Sequence, residues 1–152
     1  MEALVQYLRQ WLGSPVQLER GGPEACEGLL TAVRADYLSL RSVDGIDLYL
    51  PLRHIRSVTL LDATGTPPPA DPEPPAGPEP LPDTFLELAQ QLTGKPVRLY
   101  HAGSEMTVGH LTACTSDYLA VLSSDALHIC FPLYHIRSLL VLPEPVEPTQ
   151  GR

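Results

Sequence analysis

Nowhere does the chain run for about 18 consecutive apolar residues, so it offers no candidate for a membrane-crossing helix and no membrane partner is expected. Its first residues, MEALVQYLRQWL, place an acid at the second position and lack both the basic start and the apolar stretch of a secretory leader. The expectation is a cytoplasmic protein. Cysteine is scarce: Cys26, Cys114 and Cys130 are odd in number and lack C-x-x-C spacing, which argues against a disulfide framework or a zinc knuckle and for reduced thiols. Also missing are G-x-S-x-G, a Walker-type loop, H-E-x-x-H and a pair of carboxylates suited to acid–base work. Gly21-Gly22 reads as a turn, because no helix start follows to supply a dipole for a phosphate. No enzyme, cofactor, metal or small-molecule substrate is expected.

What is abundant is proline, 17 residues in all, and its placement divides the chain. Nine prolines fall between positions 62 and 82 and three follow Leu142, leaving five for the rest. The net charge of −8 divides likewise, because the 62–82 segment contributes −4 of it. That segment, rich in proline and acids, predicts an extended, solvated spacer. The regions on either side are close to neutral, which weakens the case that acidity alone would make against a polyanionic partner, though nucleic acid remains disfavoured.

Sliding the sequence on itself by 81 residues aligns 4–61 with 85–142 without a gap. Gly13-x-Pro15-Val16-x-Leu18 recurs as Gly94-x-Pro96-Val97-x-Leu99, and Gly28-x-Leu30-Thr31-Ala32 as Gly109-x-Leu111-Thr112-Ala113. Asp36-Tyr37-Leu38 returns as Asp117-Tyr118-Leu119, and Pro51-Leu52-x-His54-Ile55-Arg56-Ser57 as Pro132-Leu133-x-His135-Ile136-Arg137-Ser138. Four linked motifs in one register indicate an internal duplication.

Each copy opens on a helical stripe, Leu4, Leu8, Trp11 and Leu12 in the first and Phe85, Leu88, Ala89 and Leu92 in the second, the latter behind Asp83 as a candidate N-cap. Gly13 and Gly94 are placed to stop these helices. Short strands follow. Val16–Leu18 and Val97–Leu99 alternate; second strands begin near Gly28 and Gly109, where a glycine suits a sharp bend. Turns at Gly21-Gly22-Pro23 and near Gly103 would separate the first two strands. Asp36 and Asp117 suit tight turns into third strands. The fourth strands set Ile46, Leu48 and Leu50 against Asp47 and Tyr49, and Leu127, Ile129 and Phe131 against His128 and Cys130. A one-turn connector at 51–55 leads to a fifth strand over 58–61. The fold expected is mainly β: two tandem Sm-like five-stranded β-barrels, each preceded by a short N-terminal α-helix. The implied organisation is a first unit over 1–61, a linker over 62–82, a second unit over 83–142 and a disordered tail over 143–152. Units of this size are marginal alone, so the copies are expected to pack together or assemble further through unpaired barrel edges.

Among candidate partner-binding residues, His54 with Arg56 and His135 with Arg137 recur at one place, a histidine to stack and an arginine for an anionic group. The competing structural reading has each histidine support the connector while the arginine pairs with Asp36 or Asp117. Tyr37 and Tyr118 offer an aromatic surface of the kind single-stranded nucleic-acid binders use, or else pack half-buried at a strand start. His101, His110, His128, Cys114 and Cys130 have no equivalents in the first copy, where Arg20, Leu29, Asp47, Val33 and Tyr49 stand, so they are not read as a metal site.

Taken together, Arg20-Gly21-Gly22-Pro23-Glu24, Gly28-Leu29-Leu30-x-Ala32-Val33-x-x-Asp36-Tyr37-Leu38-x-Leu40 and Tyr49-x-Pro51-Leu52-x-His54-Ile55-x-Ser57 resemble the repeat of the spore coat protein B family of endospore-forming bacteria. The resemblance spans both copies, about 10–61 and 91–142. It implies a non-enzymatic structural component of the spore coat or its assembly, made in the mother-cell cytoplasm and deposited on the spore by binding other spore coat proteins or by self-association. Departures are the second copy's Ala102-Gly103-Ser104-Glu105 in place of the Gly-Gly-Pro-Glu turn, and the lack of a long serine- and lysine-rich C-terminal region. An Sm-like RNA-binding module using Tyr37, His54, Arg56 and their repeats Tyr118, His135 and Arg137 is the alternative.

Overall fold

Each half of the chain lays down the same series of elements in the computed structural model, which describes residues 2–19, 26–42, 45–61, 81–102 and 105–142. The first half holds helix α1 (Glu2–Arg9), strands β1 (Pro15–Leu18), β2 (Cys26–Val33), β3 (Tyr37–Arg41) and β4 (Asp47–Pro51), a single 3-10 turn (Leu52–His54) and β5 (Val58–Leu60). The second holds α2 (Phe85–Gln91), β6 (Pro96–Ala102), β7 (Glu105–Cys114), β8 (Tyr118–Ser123), β9 (His128–Pro132), a 3-10 turn (Leu133–His135) and β10 (Ser138–Val141). The expected turn at Gly21-Gly22-Pro23, the turn near Gly103, most of the linker and the tail lie outside the described residues.

The helices follow from their apolar spacing, with two departures from the expected stripes. In α2 the stripe holds, with Phe85, Leu88 and Ala89 buried and Leu92 just beyond its end. In α1 the buried residues are Val5 and Leu8, while Leu4 and Leu12 are each 41% exposed. α1 ends at Arg9, so Leu12 belongs to the following turn, and among the described residues no turn covers Leu4 as the Asp36 turn covers Phe85. The cap of α2 is Thr84 rather than Asp83, its hydroxyl accepting from the Glu87 N–H at 3.2 Å. Each helix end is tied to the end of the second strand of its half. The Arg9 guanidinium donates to the Val33 carbonyl, and the Gln90 amide donates to that of Cys114.

All ten strands form one antiparallel sheet in the order β5-β1-β2-β3-β4-β10-β6-β7-β8-β9. Strand order within the first half is therefore the same as within the second. Among the described residues the halves do not close into separate barrels by hydrogen bonding: β4 pairs with β10 of the other half, through Tyr49↔Leu139 and Leu48↔Leu140, instead of with β5. An unpaired strand edge must satisfy its N–H and C=O groups somewhere, and here the fourth strand of one copy meets the fifth of the next. Among the described residues the ladder is left open at β5 and β9.

Bending within each half has identifiable causes. β2 and β7 each shift register against the following strand at the same place, between Leu30 and Ala32 and between Leu111 and Ala113. The glycine two residues before each shift lets the backbones approach. A Cβ on Gly28 would lie 2.7 Å from the Arg41 carbonyl oxygen, and one on Gly109 would lie 2.3 Å from that of Leu122.

The apolar residues gather in two clusters. One joins Val5 and Leu8 of α1 to Val16, Leu30, Leu40 and other residues of the first half. The second, around Leu88, Leu99, Leu119 and Ile136, also includes Tyr37 and Tyr49 from the first half. The two faces of β4 therefore serve different cores: Leu50 packs with its own half and Tyr49 with the other. Leu81, read as part of the linker, packs against the second cluster.

Candidate interaction surface

The duplicated residues singled out in the sequence stand in unequal surroundings, because the two halves meet on one side only. The Asp36-Tyr37 turn of the first half grips the start of α2 in the second. Asp36 Oδ1 accepts from the Phe85 N–H at 2.8 Å, the Ala35 N–H donates to the Asp83 carbonyl at 3.1 Å, and the Tyr37 hydroxyl donates to the Pro82 carbonyl at 2.6 Å. Tyr37 is fully buried, its ring edge-on to those of Phe85 and Tyr49 with centroids 6.1 and 6.3 Å away. Burial, helped by Asp36 and Asp83 and opposed by Arg34, pushes its hydroxyl pKa up to about 12. Tyr118, its repeat, is 38% exposed.

His54 is the second joint. Its Nε2 lies 2.5 Å from the Tyr134 carbonyl in the second connector, so the proton sits on Nε2 and is donated across the junction. Desolvation lowers its pKa from the usual 6.5; the Tyr134 carbonyl opposes the shift, and Arg137, Arg53 and His135 reinforce it. The hydrogen bond to the Tyr134 carbonyl sets His54 beside the second connector, where His135 is the next residue and Arg137 follows two positions later. There Tyr134 is 55% exposed and its ring leans on that of His135 with centroids 4.6 Å apart. Arg56 lies elsewhere: it is exposed, and its backbone N–H donates to the Glu19 carboxylate at 2.6 Å. Arginine–aspartate pairing does occur, but as Arg41 with the buried Asp47 at 3.0 Å; Asp36 is occupied by the α2 backbone.

A cleft of about 360 Å³ runs along this junction, lined by Asp36, Pro51, Arg53, Phe85, Ser116 and Tyr134 among others. Its walls are ordinary polar and apolar side chains. Beside the cleft stand the exposed Tyr134 ring and the exposed Arg53. Sequence reasoning missed Tyr49, Asp36 and Tyr134 as junction residues. A usable signal was the divergence between copies at aligned positions, Tyr49 against Cys130 and Arg53 against Tyr134, where one copy faces its neighbour and the other does not.

No family model matches the chain, and no solved structure matches it. A curated protein does: spore coat protein B of Bacillus subtilis (strain 168), 31% identical over 138 residues. The match takes in 82% of this chain and 31% of the relative, so the chain spans about a third of that protein's length. That similarity agrees with the resemblance carried by the Gly28–Leu40 and Tyr49–Ser57 motifs and extends through both halves. Over the matched region, that similarity supports a spore coat protein B-like family for this chain.

Proposed function

We propose that this protein is a non-catalytic structural component of the spore coat or of its assembly, acting by binding other proteins. In this reading the two halves are Sm-like units over 1–61 and 83–142, joined by a proline-rich spacer over 62–82 and followed by a disordered tail over 143–152. Synthesis in the mother-cell cytoplasm and deposition on the spore complete it. The observation that carries the reading is the β4–β10 junction, where a sheet edge of one unit is satisfied by the edge of another. A fold that already makes its principal internal contact by edge pairing, and leaves two further edges open, is suited to building layers from protein alone. Similarity to a protein named for the spore coat supplies the setting.

The cationic corner formed by His135, Arg137 and the exposed Tyr134 is the best candidate for contact with a different coat protein, with Arg56 and Tyr118 as outlying contributors. Its partner would present a carboxylate beside an apolar residue. The burial of Tyr37 withdraws the aromatic platform that an RNA-binding surface would use first. The test is immunodetection in coat extracts of purified spores beside a lysate of vegetative cells from the same source. Enrichment in the extract supports the assignment, and detection only in growing cells rejects it. Replacing Arg56 and Arg137 together with alanine should then reduce recruitment of coat partners in pull-downs.

A further inference from the structure

The junction inside the chain has a template-like property: the 81-residue repeat carries every residue on one side of it onto a residue at a free end of the sheet. We propose that a second copy of this chain docks its β5 edge against the open β9 edge, reproducing between molecules the contact that β4 and β10 make within one. The repeat offset takes Tyr49 to Cys130 and Leu139 to Val58, so the intermolecular register sets Cys130 opposite Val58 and Ile129 opposite Thr59.

Three observations support this. First, the surfaces that the internal junction covers are uncovered at the ends, on both complementary sides. Phe85 is 4% exposed and its counterpart Leu4 41%; Tyr37 is 0% exposed and Tyr118 38%. Along the strands, Asp47, Tyr49 and Pro51 are buried whereas His128, Cys130 and Pro132 are exposed, and Val58 is only partly buried where Leu139 is fully so. Second, the free edges carry no lysine, arginine or acid, the residues that usually keep an exposed strand from pairing; β5 reads Val-Thr-Leu and β9 His-Ile-Cys-Phe-Pro. Third, the contact is already specified once in the molecule, with the Asp36 grip on α2 giving Asp117 and Ser116 the equivalent position beside the start of α1.

Because β9 and β5 are different surfaces, the contact is heterologous: each molecule offers one of each, and addition continues as a closed ring or an open filament. An occupant of another kind would have to match both the uncharged edge and the Tyr118 turn, whereas the chain's own α1 and β5 do so by descent from the same repeat.

The proposal goes beyond the coat assignment and is tested on the purified full-length chain, so its failure leaves that assignment standing. Val58→Cys is made in the otherwise native protein and oxidised mildly. A ladder of dimer, trimer and larger species on a non-reducing gel, with the 58–130 disulfide found by peptide mapping, is the expected result. Sedimentation across a wide concentration range should give a mass above one chain for the native protein. That mass should fall to one chain for Tyr118→Lys combined with Cys130→Lys, two exposed positions whose replacement should leave the circular dichroism spectrum unchanged. A native chain that stays monomeric at every concentration, with a Val58→Cys variant that yields no 58–130 bond, overturns the proposal. So does a product that stops at a dimer linked 130–130, which would mean symmetric β9–β9 pairing.

Discussion

β4 and β9 occupy the same place in two copies of one design, yet they live in different solvents. β4 has a strand on each side and a buried ion pair, Arg41–Asp47, at its start; β9 has a strand on one side, and Leu122 and His128 stand where that pair would be. The tyrosine at the centre of β4 is fully buried in the opposite core, and the cysteine at the centre of β9 faces water. The two halves carry equivalent edges, and the buried one bears the larger and more closely packed residues. The difference measures how much of each half's surface is devoted to its neighbour.

The comparison is broken most severely by truncating the buried partner. Tyr49→Ala should cost about 3–5 kcal/mol, as for other large aromatic truncations in a core. At the aligned position Cys130→Ala should stay within about 0.5 kcal/mol. Urea titration of dilute protein measures both, and equal losses would mean that β9 is as enclosed as β4. Next in size are the glycines. Gly109→Ala forces a methyl against the Leu122 and Ser123 backbone and should cost about 1–3 kcal/mol, with Gly28→Ala the milder of the two because its nearest atom is farther away.

Smaller effects sharpen the same contrast at the turns. Asp36→Ala removes the acceptor for the first α2 N–H and should cost about 1 kcal/mol in thermal melting, and Tyr37→Phe a similar amount for its hydrogen bond to Pro82. Asp117→Ala and Tyr118→Phe, on the exposed turn, should do almost nothing. The smallest is a pH effect. His54 has a folded pKa below its unfolded value near 6.5, so the unfolded chain takes up a proton that the folded chain resists. Its contribution is intact above pH 6.5 and is lost as pH falls through that value toward the lowered folded pKa. His54→Gln should flatten the stability curve in this window, as followed by urea midpoints.

Much of the framework was legible in advance because it rests on local rules. Gly94 after an apolar stripe ended α2, alternation marked β1 and β4, the aspartate turn introduced β3, and the proline before each His-Ile-Arg-Ser preceded a one-turn connector. The boundaries that slipped did so for tertiary reasons. Leu4 looked like a core residue because Phe85 is one, and only the neighbouring turn that covers Phe85 distinguishes them. Tyr49 looked like the outer face of a half-exposed strand, since alternation cannot reveal that both faces are covered. At the candidate surface, His54 and Tyr37 were chosen because they repeat, but repetition cannot say which copy is enclosed. The joining of the halves through β4 and β10 had no local signature at all, being a property of two edges 90 residues apart.

Joining the halves in one chain also sets the strength of each contact. Within the chain, β10 and β4 belong to one molecule, so their meeting is intramolecular and does not depend on protein concentration. Between chains, the same pair of edges must meet at whatever concentration the surroundings provide and bear the full loss of translational freedom. One geometry thus operates in two regimes, permanent within a molecule and governed by crowding between molecules. A protein built this way stays dispersed while it is dilute and adds to itself where it accumulates.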